Sequence, residues 1–324
     1  MINNRELSKK ISDFTEQRQK FVFAINFDGT DGFVSTPEDA AKQGIYFDIE
    51  GETNFAYSSE KLGDKRFDIK PISYNDYKKA FDTVQYYISR GDTFLTNLTF
   101  KTELETDYNF REVFNHSKAR YKLLYKDKFV VFSPECFIKT EGNIIKSYPM
   151  KGTIDASVSN AEKVILESKK EFCEHTTIVD LIRNDLNIIA KNTKVEKFRY
   201  IDKIVSNKGE LLQVSSIITS ELSEGYYSNF GEILFKMLPA GSISGAPKEK
   251  TIEIIKEAET YDRGFYTGIF GYFDGKDFNT AVSIRFIENE AGRLYYKSGG
   301  GITGLSDSES EYEELLKKIY VPVS

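Results

Sequence analysis

Arg120-Tyr-Lys-Leu-Leu-Tyr-Lys-Asp-Lys-Phe-Val-Val-Phe-Ser-Pro-Glu-Cys-Phe-Ile-Lys-Thr-Glu-Gly-Asn-Ile-Ile-Lys-Ser-Tyr148 is rich in aromatic and β-branched residues. Turn residues interrupt it near Lys126-Asp127 and Gly142-Asn143, so it predicts a β-meander. Upstream, residues 74–90 have the apolar spacing of a helix, with Ser73 as cap and Gly91 as stop. Downstream, helical spacing covers roughly 161–186, followed by a mixed segment and a strand over 211–221. Helices follow near 228–238 and 248–260. Two strands flank the turn Asp274-Gly275, a third comes after Glu290-Ala-Gly292, and a last helix covers about 309–319. Runs of adjacent strands separated by helices, without strict βαβ alternation, predict an α+β fold.

Composition narrows the function. The 324 residues carry 44 Lys+Arg against 50 Asp+Glu, a net charge of −6 that leaves no basic stripe for nucleic acid. No apolar run reaches the ~18 residues of a membrane span, and Met1-Ile-Asn-Asn-Arg-Glu-Leu7 lacks an apolar signal core, so the expected address is the cytoplasm. Cys136 and Cys173 form no disulfide framework, and His116 and His175 are the only histidines. Zinc sites and histidine triads are thereby excluded. Chemistry has to come from carboxylates, lysines, arginines and backbone.

Several segments could supply it. Gly299-Gly-Gly-Ile-Thr-Gly304 satisfies G-x-G-x-x-G between a strand at Leu294–Lys297 and a helix. Only Tyr320–Ser324 follows that helix, too little for the second strand and its acid about 20 residues on, so a dinucleotide site is excluded. A glycine turn, or backbone N–H groups facing an anion, remain. Ala240-Gly-Ser-Ile-Ser-Gly-Ala-Pro-Lys248 is not a Walker loop, because only three residues separate its glycines. It opens a helix, whose free N–H groups favour an anion.

Glu171 and Glu174 share a helix face, and Glu311 and Glu314 repeat the spacing. Two facing pairs make an oxygen-rich site suited to Mg²⁺, whereas either pair alone reads as a solvated face, with Ser308-x-x-Glu311 as a capping box. Arg285 lies in an apolar strand and requires a partner or a cleft. Lys151, in a Pro/Gly turn, reads by itself as a surface lysine, and Glu135 is ambiguous on its own.

In order, these segments resemble the chorismate-utilising enzymes, from about Gly91 to Glu314. Gly91-Asp-Thr-Phe-Leu-Thr-Asn-Leu98 is similar to the family's GD-x-aromatic-x-x-N-L, with Leu95 in place of the usual glutamine. Ser133-Pro-Glu135 matches S-P-E, and Glu174-His-Thr-Thr-Ile-Val-Asp-Leu-Ile-Arg-Asn-Asp-Leu186 matches E-H/N-x-x-I/L-V-D-L-x-R-N-D-L. Gly241–Lys248, Arg263–Gly268, Ile284-Arg285, Gly299–Ile302 and Glu311–Glu314 complete the set. Pro149-Met-Lys-Gly-Thr153 resembles the P-I-K-G-T of aminodeoxychorismate synthase component I; related anthranilate and isochorismate synthases carry alanine at the lysine.

The resemblance implies one α+β domain over 1–324, two antiparallel sheets packed as a sandwich with outer helices, and a shortened N-terminal region (about 1–70). It implies Lys151 as nucleophile at ring carbon 2 and Glu135 as the acid assisting departure of the 4-hydroxyl. It further implies Glu171, Glu174, Glu311 and Glu314 on Mg²⁺, N–H groups of Gly299, Gly300 and Gly301 on the ring carboxylate, Arg285 and Tyr266 on the enolpyruvyl carboxylate, and Ser244 beside the ring. The expected reaction joins chorismate and ammonia into aminodeoxychorismate for p-aminobenzoate. Neither cysteine sits in a glutaminase nucleophile turn, so a separate glutamine amidotransferase partner is expected. The alternatives are anthranilate synthase component I, an isochorismate-type synthase, or a non-catalytic chorismate-binding subunit. Gln213 stands where relatives that eliminate pyruvate carry histidine, which favours a product retaining the enolpyruvyl group. The short stretch before Gly91 leads to the expectation of no bound tryptophan.

Overall fold

The computed structural model describes residues 4–59, 62–63, 65–206 and 209–321. The chain opens with α1 (Asn4–Glu16), the hairpin β1 (Phe21–Ile25) and β2 (Gly32–Ser35), α2 (Pro37–Lys42), β3 (Ile45–Ile49), β4 (Glu52–Thr53) and β5 (Phe67–Lys70). Next come α3 (Tyr74–Ser89), the long strand β6 (Leu95–Thr106), α4 (Phe110–His116), β7 (Tyr121–Tyr125), β8 (Phe129–Ser133), β9 (Cys136–Glu141), β10 (Ile144–Ser147) and β11 (Met150–Asp155). Helices α5 (Ala161–Glu167) and α6 (Lys169–Ile189) lead into the long hairpin β12 (Lys191–Ser206) and β13 (Gly209–Glu221). The remainder comprises α7 (Phe230–Lys236), β14 (Gly245–Ala246), α8 (Lys248–Ala258), β15 (Ile269–Phe273), β16 (Phe278–Val282), β17 (Phe286–Glu290), β18 (Arg293–Thr303) and α9 (Ser308–Lys317).

The strands form two antiparallel sheets. One runs β11-β13-β10-β9-β16-β15-β1-β2, with β12 also on β13; the other runs β14-β6-β18-β17-β8-β7-β3-β4, with β5 also on β6. Their facing sides share a core of Val22, Phe47, Phe129, Val131, Phe270 and Phe286. Phe47 stacks on Tyr272 across that interface at 5.0 Å between ring centres. On the outer side of the first sheet, α1, α6 and α7 bury Leu7, Ile178, Ile182 and Leu234. On that of the second, α3, α8 and α9 bury Tyr77, Val84, Ile254 and Leu315. This is the expected sandwich with outer helices.

Three local expectations change. Residues 120–148 are not one meander, because β7 and β8 belong to the second sheet and β9 and β10 to the first. The chain crosses between them at Ser133-Pro134-Glu135, where proline has no N–H to continue a ladder. The predicted 161–186 helix breaks at Ser168, whose hydroxyl accepts from the Glu171 N–H and caps α6. Gly299–Gly301 form no turn: β18 runs through them, paired residue by residue with β6 from Leu294 to Thr303. By contrast, α3 follows its sequence signals, with Ser73 accepting from the Asp76 N–H and Gly91 at φ +79° just past the end. The cap of α9 is Asp307, one residue before the expected Ser308.

Candidate active site

Two crossings between the sheets bring the reactive candidates together. β8 passes to β9 at Glu135, and β16 returns to β17 through Ser283-Ile284-Arg285. The crossings are bonded to each other: the Val282 N–H donates to the Glu135 carbonyl at 3.1 Å, and the Phe132 N–H donates to the Arg285 carbonyl at 3.0 Å. Two residues with left-handed backbone lie here. Arg285 sits at φ +56° and buried Thr267 at φ +59°, conformations that cost non-glycine residues about 1–3 kcal/mol each and concentrate at functional sites.

Glu135 is half-buried, and burial raises its carboxyl above the ordinary range, against the pull of the Ser242 hydroxyl and the charges of Lys151 and Lys318. It is therefore suited to holding a proton. Lys151, on β11, lies close enough to act electrically on Glu135, Glu171, Glu174 and Glu314. Among the described residues its amine has no hydrogen-bond or ion-pair partner. A Cβ added at Gly301 would stand 3.7 Å from Lys151 Nζ and 3.1 Å from Leu95 Cδ1, so the bare glycine leaves the space beside the amine open.

The ladder decides which glycine amides face the cleft. Thr99 and Asn97, opposite Gly299 and Gly301, give their N–H groups to Glu259 Oε1 and the Ser244 carbonyl instead of to β18. Opposed residues in an antiparallel pair alternate between bonded and non-bonded. Gly299 and Gly301 thus turn their N–H groups away from β6, towards the edge that β17 leaves open beyond Lys297. Gly300 lies opposite Leu98, in the alternate position of the ladder.

The glutamates face one another from α6 and α9. Burial raises Glu174 to about 7, with the negative charges of Glu171 and Glu311 adding to it. Burial also raises Glu171. Glu314 goes the other way, its burial outweighed by Lys318 at 2.8 Å. Lys170 lies 2.8 Å from Glu311 Oε1 and 4.0 Å from Glu174 Oε1. Among the described residues no three acid, histidine or cysteine side chains are drawn into one metal-holding group. In kind the donors fit a hard divalent cation: four carboxylates from two helices supply only oxygen ligands.

The remaining candidates have other contacts. The Arg285 guanidinium donates to the Lys318 carbonyl at 2.9 Å and stacks over Tyr320. Tyr266 is buried, its ring 5.9 Å from that of Phe286, and burial raises its phenol well above the ordinary range. Ser244 is fully buried and donates to the Ala240 carbonyl at 2.9 Å. Gln213, on β13, pairs with Thr153 on β11, two residues from Lys151. His175 is buried against Ser216 at 2.7 Å, and burial followed by the charges of Arg199 and Lys151 lowers it to about 4, so it stays neutral. Sequence reasoning did not single out Lys170 and Lys318. Their signal was present, since each lies four residues from a site glutamate on its helix.

A family model described as chorismate binding enzyme matches residues 16–324. The chain belongs to that family. The chorismate binding enzyme fold is shared with the structure of a putative 2,3-dihydroxybenzoate-specific isochorismate synthase from Bacillus anthracis, at a TM-score of 0.74 and 21% identity over 98% of this chain and 87% of that one. In sequence the chain is 49% identical to an uncharacterized PabA-like protein of Pasteurella multocida, over 97% of this chain and 98% of that protein. It is 29% identical to aminodeoxychorismate synthase component 1 of Bacillus subtilis over 77% of this chain, spanning 55% of that longer protein. Among the described residues no helix is long and apolar enough to cross a membrane.

Proposed function

We propose that this chorismate binding enzyme is the synthase subunit of an aminodeoxychorismate synthase, acting in the cytoplasm with ammonia from a glutamine amidotransferase partner. The observation that carries the reading is Lys151, an amine without a partner among the described residues, beside the bare Gly301 and within electrical reach of the acid Glu135. The likeness to aminodeoxychorismate synthase component 1 supports it.

In this reading the Lys151 amine adds at ring carbon 2, the ring double bond shifts, the 4-hydroxyl departs as water with the proton of Glu135, and the Glu135 carboxylate regains a proton from the nitrogen now bonded to carbon 2. Ammonia then adds at carbon 4, the double bond shifts back, and the lysine nitrogen leaves carbon 2. Atoms balance: ammonia and chorismate become aminodeoxychorismate and water. One difficult displacement is thereby divided into two easier ones. The carboxylate-bearing substrate would meet the N–H groups of Gly299 and Gly301. Glu171, Glu174, Glu311 and Glu314 would hold Mg²⁺, which when bound supplies positive charge to the ring carboxylate. Arg285 would turn from the Lys318 carbonyl to the enolpyruvyl carboxylate.

The test is product analysis after incubation with chorismate, Mg²⁺ and concentrated ammonium at mildly alkaline pH, beside Lys151→Ala. The expected product carries an amine in place of the hydroxyl and keeps its enolpyruvyl group, and it disappears in the variant. Anthranilate with pyruvate, or isochorismate, as the product would refute the subclass.

A further inference from the structure

Lys170 belongs to the carboxylate cluster, and the proposed reaction gives it no role. Its ammonium stands 2.8 Å from Glu311 Oε1 and 4.0 Å from Glu174 Oε1, tying the first turn of α6 to α9. The same Glu311 oxygen accepts from the Ser306 hydroxyl at 2.8 Å, so its two lone-pair directions are both taken. The carboxylates are fixed and the amine is not: the Glu311 and Glu174 side chains are 4% and 11% exposed, that of Lys170 37%. Lys318 differs, since its amine is held from two sides by Glu314 and the Gly299 carbonyl.

We propose that Lys170 is a tethered counter-ion of the carboxylate site, occupying the place between Glu174 and Glu311 that a divalent cation has to take, so that metal entry requires its amine to swing out. The inference rests on reading Glu171, Glu174, Glu311 and Glu314 as the Mg²⁺ ligands. Mg²⁺ needs its oxygen ligands at about 2.0–2.1 Å in near-octahedral array, and an ammonium 2.8 Å from Glu311 Oε1 competes with it for that carboxylate and its charge. The lysine stem is long and reaches solvent, so the amine can leave without unpacking α6. In the metal-free state it neutralises buried carboxylates that would otherwise repel one another. The exchange of one cation for another thus keeps the cluster compensated with and without metal.

Calorimetric titration of the purified full chain with MgCl₂ tests this, with near-ultraviolet circular dichroism to establish folding. Lys170→Met and Lys170→Gln should each bind Mg²⁺ about tenfold more tightly than wild type, because a competing positive charge is gone. Lys170→Arg, which keeps the charge, should not tighten binding. Without metal the neutral variants should melt at lower temperature than wild type, and Mg²⁺ should raise their Tm by more. Wild-type binding with equal or weaker binding by the folded neutral variants would overturn the inference alone. No Mg²⁺ binding by either, at millimolar concentration, would overturn the metal-site reading and the inference with it.

Discussion

Alanine at Gly301 and at Gly299, two residues apart on β18, should have opposite consequences. Neither glycine has the positive φ that would exclude a side chain, so space alone decides. At Gly299 a Cβ would meet Thr99 Cγ2 at 2.5 Å and the Leu98 carbonyl oxygen at 2.7 Å. Thr99 cannot give way, because it is fully buried and bonded to Glu259 and Tyr261. Such overpacking costs about 1–3 kcal/mol or more. At Gly301 the Cβ meets only the flexible end of Leu95 at 3.1 Å and Lys151 Nζ at 3.7 Å. Relief of the glycine entropy penalty, about 0.5–1 kcal/mol, offsets the small shift of Leu95. Gly301→Ala should therefore remain within about 1 kcal/mol of wild type in urea unfolding, while its methyl holds the substrate ring off the amine. A displacement near 1 Å costs about a hundredfold in rate, or about 2.7 kcal/mol of transition-state stabilisation. Chorismate turnover with ammonium and urea melts of both variants provide the assay. A folded Gly301→Ala enzyme with wild-type turnover would refute the placement of the reacting atoms beside Lys151.

Three further outcomes follow from buried charge. Glu135→Gln should lower turnover by about 10²–10⁴-fold and remove the alkaline limb of the pH–rate profile, since a raised carboxyl keeps its proton to higher pH. The same raised value makes the folded chain bind more protons than the unfolded one, so this group's contribution to stability falls as pH rises through that window. Glu259→Gln should cost about 3–5 kcal/mol in urea unfolding, because it leaves Arg263, paired at 2.6 Å with both side chains nearly fully buried, without its counter-charge. Glu50 behaves oppositely to Glu135. Burial works against its charge, but Lys139, Asn279 and Arg120 hold its carboxyl down to about 2. Its stabilisation, up to about 3 kcal/mol, is present above the ordinary carboxyl range and lost as pH falls towards 2. Glu50→Gln should flatten that part of an acid-unfolding curve, and an unchanged curve would contradict the assignment.

Local signals were legible where local chemistry decides. Ser73 and Gly91 bound α3 because a cap hydroxyl and a left-handed glycine act within one turn of the chain. The spacing of Glu171 with Glu174 and of Glu311 with Glu314 put each pair on one helix face, yet no spacing says that the two faces meet. Residues 120–148 alternate in the same way whether neighbouring strands pair or part, so the crossing at Glu135 was hidden in an apparent meander. Pro134 was its only local sign. At Gly299–Gly301 the glycine pattern suggests a turn, but ten residues of pairing with β6 override that preference. The bare strand then serves a different end, letting Lys151 approach from another sheet. Lys170 had a local sign in Glu174 four residues on, but its ion pair with Glu311, 141 residues away on a different helix, had none.

The covalent role of Lys151 is tested most directly by mixing the enzyme with chorismate and Mg²⁺ without ammonia, quenching with acid, and mapping the digested protein by mass spectrometry. The account predicts that the peptide carrying Lys151 gains the mass of chorismate less one water, and that ammonium discharges this adduct to aminodeoxychorismate. An enzyme preparation that forms the amino product from ammonium, yet shows no adduct on Lys151 and keeps its rate as Lys151→Ala, would contradict it.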